Sequence, residues 1–273
     1  MTPPDEEAFL ELIGRISRLT GLSLDGYKDK CLRRRIAVRM RACGVQSYQE
    51  YQELLERDAA EAARLKDTIT INVTSFYRNA ETWNLVRHRV LPELLGGDVS
   101  AMRAWSAGCS SGEEAYTLAM MIAEFLDLQG RGQHFDRVTV DATDVDAQCL
   151  ARANQARYPR EALADVPASL AQRYFEERGA EYQVIDRVRR RVVVRASDLC
   201  IDPAPRRSYQ LILCRNVVIY FGRAMQERVF LDFAEALAPG GFLILGKVES
   251  LSGQARDLLT LLDARERIYR RAA

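Results

Sequence analysis

The chain has 273 residues, with 39 basic against 38 acidic side chains and a formal net charge of +1. Hydrophobic residues make up 48% and charged residues 28%, a composition that fits a globular protein of one or two domains and excludes a disordered or collagen-like chain. No apolar run approaches the roughly 18 to 20 residues of a membrane span, and the acidic start MTPPDEEAFLELIG lacks the basic, then apolar, order of an export signal.

Six cysteines are scattered without a C-x-x-C pair, and His88 and His134 are the two histidines. This predicts reduced thiols in a cytoplasmic protein, with neither a structural metal site nor a disulfide framework. Histidine-based hydrolysis loses most of its ground for the same reason.

Residues 1 to about 70 read as helices. Apolar side chains recur at Phe9, Leu12, Ile13 and Ile16, again at Leu32, Ile36 and Met40, and again at Tyr48, Tyr51, Leu54 and Leu55. Gly21 to Gly26 and Gly44 to Ser47 supply the breaks, with Ser47 a candidate N-cap. From about residue 100 short apolar strands (MRAWSAG, RVTVDATD, VVVRAS, YQLILC, GFLILG) alternate with amphipathic helical stretches, which predicts a parallel sheet covered on both faces. ARERIYRR follows without an obvious crossover helix and is expected to lie antiparallel at or near an edge. Between Tyr158 and Arg195 the rhythm breaks, and EYQVIDRVRRRVVV alternates like a hairpin turning around Asp186, so a small insertion is expected there.

The most informative segment is WSAGCSSGEE, a strand entering a helix through a Gly/Ser turn around Gly108. In an open α/β sheet the carboxyl end of the first strand is where ligands bind. Glu113 and Glu114 stand on the first helical turn, where a pyrophosphate would require bare amides and positive potential. The phosphate-binding G-x-x-x-x-G-K-[ST] pattern is also missing. Two carboxylates favour a cationic ligand, and S-adenosylmethionine (SAM) carries an ammonium and a sulfonium and no phosphate. Asp144, ending RVTVDATD, suits the two hydroxyls of a ribose, with Asp146 as either an alternate or the N-cap of the next helix. Asp198, after VVVRAS, can accept the exocyclic amine of adenine. Asn216, at the end of YQLILC, can offer a donor and an acceptor, and Tyr220 brings a hydroxyl to the same opening.

INVTSFYRN, WSAGCSSGEEAYTLAM, ATDVD, CRNVVIYF and APGGFLILGKVESL, in this order and spacing, closely resemble the CheR chemotaxis receptor methyltransferases. The resemblance runs through nearly the whole chain. It implies an all-α N-terminal docking domain over residues 1–70 and a Rossmann-like methyltransferase domain over 71–273, with a small β-subdomain inserted at about 159–195. The implied activity is SAM-dependent methylation of receptor glutamates, with SAM as co-substrate and no metal. Carried over position by position, Asn72, Thr74 and Arg78 border the cofactor pocket, Glu114 or Glu113 holds the methionine end, Asp144 the ribose, and Asp198 with Leu199 the adenine. Asn216 and Val217 line the pocket, and Arg103 and Tyr220 lie near the transferred methyl.

The chain departs from the family pattern at Asp198, where Asn is usual, at Ala115, where Pro is common, and at Lys247-Val248, where a His-Ser pair often stands. The loop around Gly179 is also short beside relatives that bind a receptor C-terminal pentapeptide, so tail-independent substrate binding is expected. The basic run Lys28, Lys30, Arg33, Arg34, Arg35, Arg39 and Arg41 has a solvated helix face as its plain reading. The resemblance turns it into a docking surface, led by Arg33, Arg34, Arg35 and Arg39, for the glutamate-bearing cytoplasmic helices of methyl-accepting receptors. A nucleic-acid partner is disfavoured by the absence of any recognition signature. The resulting expectation is a monomer without membrane insertion, cytoplasmic and recruited to receptor arrays.

Overall fold

The computed structural model describes residues 3–97 and 101–272. Its chain falls into two units, residues 1–72 with 220–225, and residues 73–219 with 226–273. The helical unit therefore takes in a short segment from the C-terminal half, which periodicity along residues 1–70 could not reveal.

The helical unit contains α1 (Pro3–Thr20), α2 (Asp29–Cys43), α3 (Tyr48–Arg57) and α4 (Ala59–Thr70). Gly44 at φ 72° ends α2 in the left-handed region that a side chain resists, and the Ser47 hydroxyl accepts the Glu50 N–H to open α3. Asp58 caps α4 in the same way. Of the stripes read from the sequence, Phe9, Leu12, Ile13, Ile16, Leu32, Ile36, Met40, Tyr51 and Leu55 are buried while Tyr48 and Leu54 are half-buried, and Leu65 and Ile69 of α4, outside those stripes, are buried too.

A carboxylate is buried with them. Glu61 accepts hydrogen bonds from Arg39 (2.5 and 2.9 Å), Tyr51 (2.8 Å) and Arg64 (3.0 Å). Burial pushes the Glu61 carboxyl up, but these donors outweigh it and hold it at about 2. Arg33 pairs with Glu6 at 2.8 Å and lies over the Phe9 ring, while buried Arg35 donates to the carbonyls of Thr68 and Ile69 and lies 4.4 Å from the Tyr220 ring centre.

These contacts correct the expected docking surface. Arg33, Arg35 and Arg39 spend their guanidinium groups on internal partners, and of the four arginines named for docking Arg34 alone is exposed. Net charge along a helix does not tell which cations have acids waiting on a neighbouring helix.

In the second unit α5 (Ala80–Leu85) runs through a π turn into α6 (Leu91–Leu95) ahead of β1 (Met102–Ala107). There follow α7 (Glu113–Leu128), β2 (Val138–Asp144), α8 (Ala147–Gln155), β3 (Arg157–Pro159), α9 (Ala168–Tyr174), β4 (Phe175–Arg178), β5 (Glu181–Val184), α10 (Asp186–Arg189) and β6 (Val192–Ala196). The chain ends with β7 (Tyr209–Cys214), α11 (Arg223–Ala236), β8 (Leu237–Leu245), α12 (Ala255–Leu258), β9 (Leu259–Asp263) and β10 (Ile268–Arg271). The seven-stranded sheet has the order β6-β2-β1-β7-β8-β10-β9, with a three-stranded β3-β5-β4 sheet beside it.

The first five strands of that order are parallel, and β10 is antiparallel to both β8 and β9. ARERIYRR thus lies one strand inside the edge, which is β9. Strands β1 and β7 and helix α7 are buried almost throughout, because helices cover a parallel sheet on both faces.

The small sheet also revises the sequence reading. The hairpin is β4–β5, turning at Gly179 (φ 66°), whereas Asp186 opens α10 and Val192–Ala196 crosses to pair with β2 in the main sheet. Period-two alternation is shared by a hairpin strand and an edge strand of the large sheet, so pattern alone could not separate them. Asp127, at the end of α7, holds the insertion by accepting from Arg173 at 2.7 Å and from Arg187 at 2.7 and 2.8 Å.

Removing Arg39 leaves Glu61 charged and under-paired inside the helical unit, so Arg39→Ala should cost about 3–5 kcal/mol in urea unfolding. Because the folded value of Glu61 lies below its ordinary 4.5, its stabilising contribution is complete above about pH 4.5 and is lost as pH falls toward about 2. Glu61→Gln should remove that component of acid unfolding, read as a flattened acid limb of the stability curve.

Candidate functional site: the carboxyl edge of the parallel strands

Strand β1 ends where its neighbours on the two sides diverge, which opens a crevice at the carboxyl edge of the sheet. The backbone N–H groups of Gly108 and Cys109 both donate to the Thr143 carbonyl, and Ser110 N–H donates to Asp144 Oδ2 at 2.8 Å. Gly108 sits at φ 78°, and a Cβ there would overlap Val217 Cγ2. The glycine therefore serves both a left-handed turn and a close approach to the strand on the far side of the crevice.

Glu113 and Glu114, alternatives in the sequence, face different ways. Glu113 shares the single Ser111 hydroxyl donor between its two oxygens, at 2.8 and 3.0 Å, and is buried in the α7 entry turn. Glu114 reaches the strand ends, where Oε1 accepts from Ser106 at 2.8 Å and Oε2 faces Arg215 at 3.4 Å. Arg215 is itself buried, and its guanidinium also donates to the Arg78 carbonyl at 2.7 Å and to Asn79 Oδ1 at 2.9 Å.

The aspartates also separate. Asp146 accepts the N–H groups of Gln148 and Cys149 and is the α8 N-cap. Asp144 accepts from the backbone N–H groups of Ser110 on Oδ2 and Asp146 on Oδ1, and a carboxylate with two oxygens keeps acceptor capacity beyond these. The Ser197 N–H binds the Asp144 carbonyl at 3.0 Å, so the loop with Asp198 and Leu199 joins the same rim. Asp198 Oδ1 accepts from Cys200 N–H at 2.8 Å, and the Leu199 carbonyl from Arg228 at 2.7 Å.

On the far side Asn216 stands at φ 63° with its Oδ1 buried and lacking a hydrogen-bond partner. An orphaned acceptor of this kind costs about 1–3 kcal/mol until a donor reaches it. Glu249, after β8, accepts four backbone N–H groups at this rim: Gly246 (2.6 Å), Asn216 (3.0 Å), Val217 (3.0 Å) and Ile219 (3.3 Å). Burial pushes the carboxyls of Glu113, Glu114, Asp144 and Glu249 upward, against the lowering effect of Arg215 on Glu114 and of hydrogen bonds on the others.

Of the residues named from the sequence, Gly108, Glu114, Asp144, Asp198, Leu199, Asn216 and Val217 line this edge of the α/β unit, and Arg78 borders it through its carbonyl and its field on Glu114. Thr74 lies half-buried in the irregular segment leading to Arg78, whose Nη1 donates to the Val73 carbonyl. Asn72 and Tyr220 group with the helical unit, where Asn72 donates to Thr70 Oγ1 and the Arg35 guanidinium covers the Tyr220 ring.

Arg103 is a correction. It occupies the start of β1, exposed, with its N–H on Gln210 Oε1 at the start of β7, roughly 13 Å of extended chain from the carboxyl end. An arginine at the amino end of a parallel strand cannot share a mouth with Gly108. Three contributors went unread in the sequence: Ser106, Arg215 and Glu249. A charged residue directly after an apolar strand end, as Arg215 is after LILC, is the available signal for the second.

A doubly wound sheet of this strand order, with a glycine turn after β1, an acid after β2 and carboxylates in place of phosphate-binding amides, defines the class of SAM-dependent methyltransferases. The CheR methyltransferase all-alpha domain matches residues 7–70, and the CheR methyltransferase SAM binding domain matches residues 72–268. The chain belongs to the CheR methyltransferase family. It is 33% identical over 255 residues to the chemotaxis protein methyltransferase of Listeria monocytogenes, covering 93% of this chain and 94% of that protein. Chemotaxis protein methyltransferase 1 of Pseudomonas aeruginosa is 32% identical over 246 residues, covering 87% and 88%. An uncharacterised 104.1 kDa protein of Rhodobacter capsulatus is 35% identical over 266 residues, which take in 95% of this chain and 27% of that longer protein. The chain is a CheR-type methyltransferase that uses SAM.

Gly108→Ala should destabilise the fold through both its positive φ and its overlap with Val217. In a double-mutant cycle by urea unfolding, Val217→Ala should recover the steric part and leave the backbone part, with a coupling of about 1 kcal/mol.

Proposed function

We propose that this enzyme transfers the methyl group of SAM to glutamate side chains on the cytoplasmic helical region of a chemotaxis receptor, giving glutamate methyl esters and S-adenosylhomocysteine. The observation that carries the reading is the match of both CheR domains, over residues 7–70 and 72–268. Relatives named as chemotaxis protein methyltransferases support the receptor as acceptor.

The residues at the carboxyl edge fit SAM. Glu114, held by Ser106 and Arg215, is the residue we assign to the methionine ammonium. Asp144 has acceptor capacity for the ribose hydroxyls, and Asp198 with Leu199 borders the adenine position. The orphaned Asn216 Oδ1 supplies an acceptor for a ligand N–H. SAM contributes a methyl on a sulfonium: a glutamate oxygen forms the new O–C bond, the C–S bond breaks, and its electron pair stays on sulfur.

A glutamate with reference pKa about 4.3 is already an anion at neutral pH, so the enzyme has no proton to remove. Its work is alignment and exclusion of water, which can lower the barrier by roughly 7–11 kcal/mol. Arg78 is the residue of the α/β unit that we assign to the acceptor side, in place of Arg103.

Labelled SAM incubated with receptor cytoplasmic fragments tests the reading. Base-labile label on glutamate is the expected result; alkali-stable label, label on nucleic acid, or binding without transfer would each overturn it. Asp144→Ala should weaken S-adenosylhomocysteine binding by about 1.5–3 kcal/mol per lost hydrogen bond in calorimetry. Because burial raises Glu114 and Asp144 and the charged forms bind, affinity should decline with falling pH before the ordinary carboxylate range is reached.

A further inference from the structure

We propose that Glu249 is a positioning residue that sets the width of the cofactor crevice by holding the Asn216–Ile219 backbone. The inference rests on the reading of the carboxyl edge as the SAM pocket. Glu249 is buried, its carboxylate is engaged with backbone N–H groups, and it acts through the segment that carries them.

The geometry is specific to a carboxylate. Oε2 accepts the N–H groups of Gly246 and Asn216, and Oε1 those of Val217 and Ile219. An ionised carboxylate is an acceptor only, so it can satisfy four donors without presenting one of its own. Glu249 is 3% exposed, and no arginine or lysine pairs with it among the described residues; backbone dipoles alone compensate its charge.

Two features of the crevice depend on this grip. Asn216 is held at φ 63°, a left-handed conformation that a non-glycine residue keeps only when its surroundings enforce it. The next residue, Val217, is thereby pressed against the face of Gly108 across the strand ends. Gly246 makes the approach possible, since a Cβ there would lie 2.7 Å from Glu249 Oε2 and 2.9 Å from the Asn216 nitrogen. Gly108, Val217, Asn216, Gly246 and Glu249 thus form one chain of contacts from the glycine turn to the end of β8.

Glu249→Gln keeps the shape but turns an NH2 toward N–H donors. The segment should relax, Asn216 should leave the left-handed region, and Val217 should withdraw from Gly108. S-adenosylhomocysteine should then bind roughly tenfold to a hundredfold more weakly in calorimetry. With a chemoreceptor cytoplasmic fragment as acceptor, KM for SAM should rise by a similar factor while kcat at saturating SAM stays within about threefold of wild type. A general loss of structure would not give that split.

Unchanged S-adenosylhomocysteine affinity in a folded Glu249→Gln protein overturns the proposal, as does a fall in kcat with KM unchanged. Should that variant fail to fold, Gly246→Ala displaces the carboxylate without altering charge and should show the same KM-against-kcat split; an unchanged KM there overturns it equally. Wild-type protein is the control: failure of wild type to bind S-adenosylhomocysteine removes the pocket reading and Glu249's role together. Wild-type binding beside unchanged Glu249→Gln binding removes Glu249's role alone.

Discussion

The constraint on which the α/β unit is built is the burial of several carboxylates at the carboxyl edge of one sheet. Each would repel the others and each has lost water, so each needs donors that the fold must supply. The chain supplies them mostly from its own backbone: Ser110 and Asp146 amides for Asp144, and four amides for Glu249. Glu114 is the exception, with Ser106 and the buried Arg215 as partners. Amides are fixed by the path of the chain, so satisfying the carboxylates and shaping the loops are the same act. The left-handed turns at Gly108 and Asn216 are where that path bends to deliver its donors.

The helical unit meets a related demand differently. Its deeply buried acid among the described residues, Glu61, is held by long side chains instead of amides, Arg39 and Tyr51 from other helices and Arg64 from its own. Glu61 stands in the first turn of α4, where the Asp58 side chain already takes the N–H groups of Ala60 and Glu61, so its buried carboxylate recruits arginine and tyrosine instead. That is why Arg39 is taken inward and why α2, reading as a basic stripe, presents a smaller cationic face than its composition suggests. Lys30, Arg34 and Arg41 remain exposed on it, beside Val38.

How much could be read before folding follows the same division. Elements set by local rules were legible: the Ser47 cap, the periodic stripes of α1 to α3, and the glycine turn after β1. The order of chemistry along the strand ends was legible too, because each strand end is adjacent in sequence to its own loop. What depended on partners distant in sequence was not. Glu61 sits 22 residues from Arg39 and Glu249 sits 33 from Asn216, and neither spacing leaves a periodic trace. Arg103 failed for a simpler reason: it was carried over from the family resemblance, and an extended strand sets it at the opposite end of β1 from Gly108.

The raised carboxylates also bear on which ligand the crevice selects. A carboxyl pushed upward by burial carries its charge reluctantly, and a cation brought against it recovers part of the lost solvation, whereas a phosphate adds to the repulsion. Arg215 offsets part of this at Glu114, its guanidinium keeping its charge while it also donates to the Arg78 carbonyl and Asn79 Oδ1. The residual field at the strand ends is therefore set by Asp144 and Glu114, and its sign favours a sulfonium and an ammonium over a nucleotide. Selection for an alkyl donor in this enzyme thus draws, at Asp144, on the fold's use of amides, which satisfy a carboxylate by hydrogen bonding without cancelling its charge.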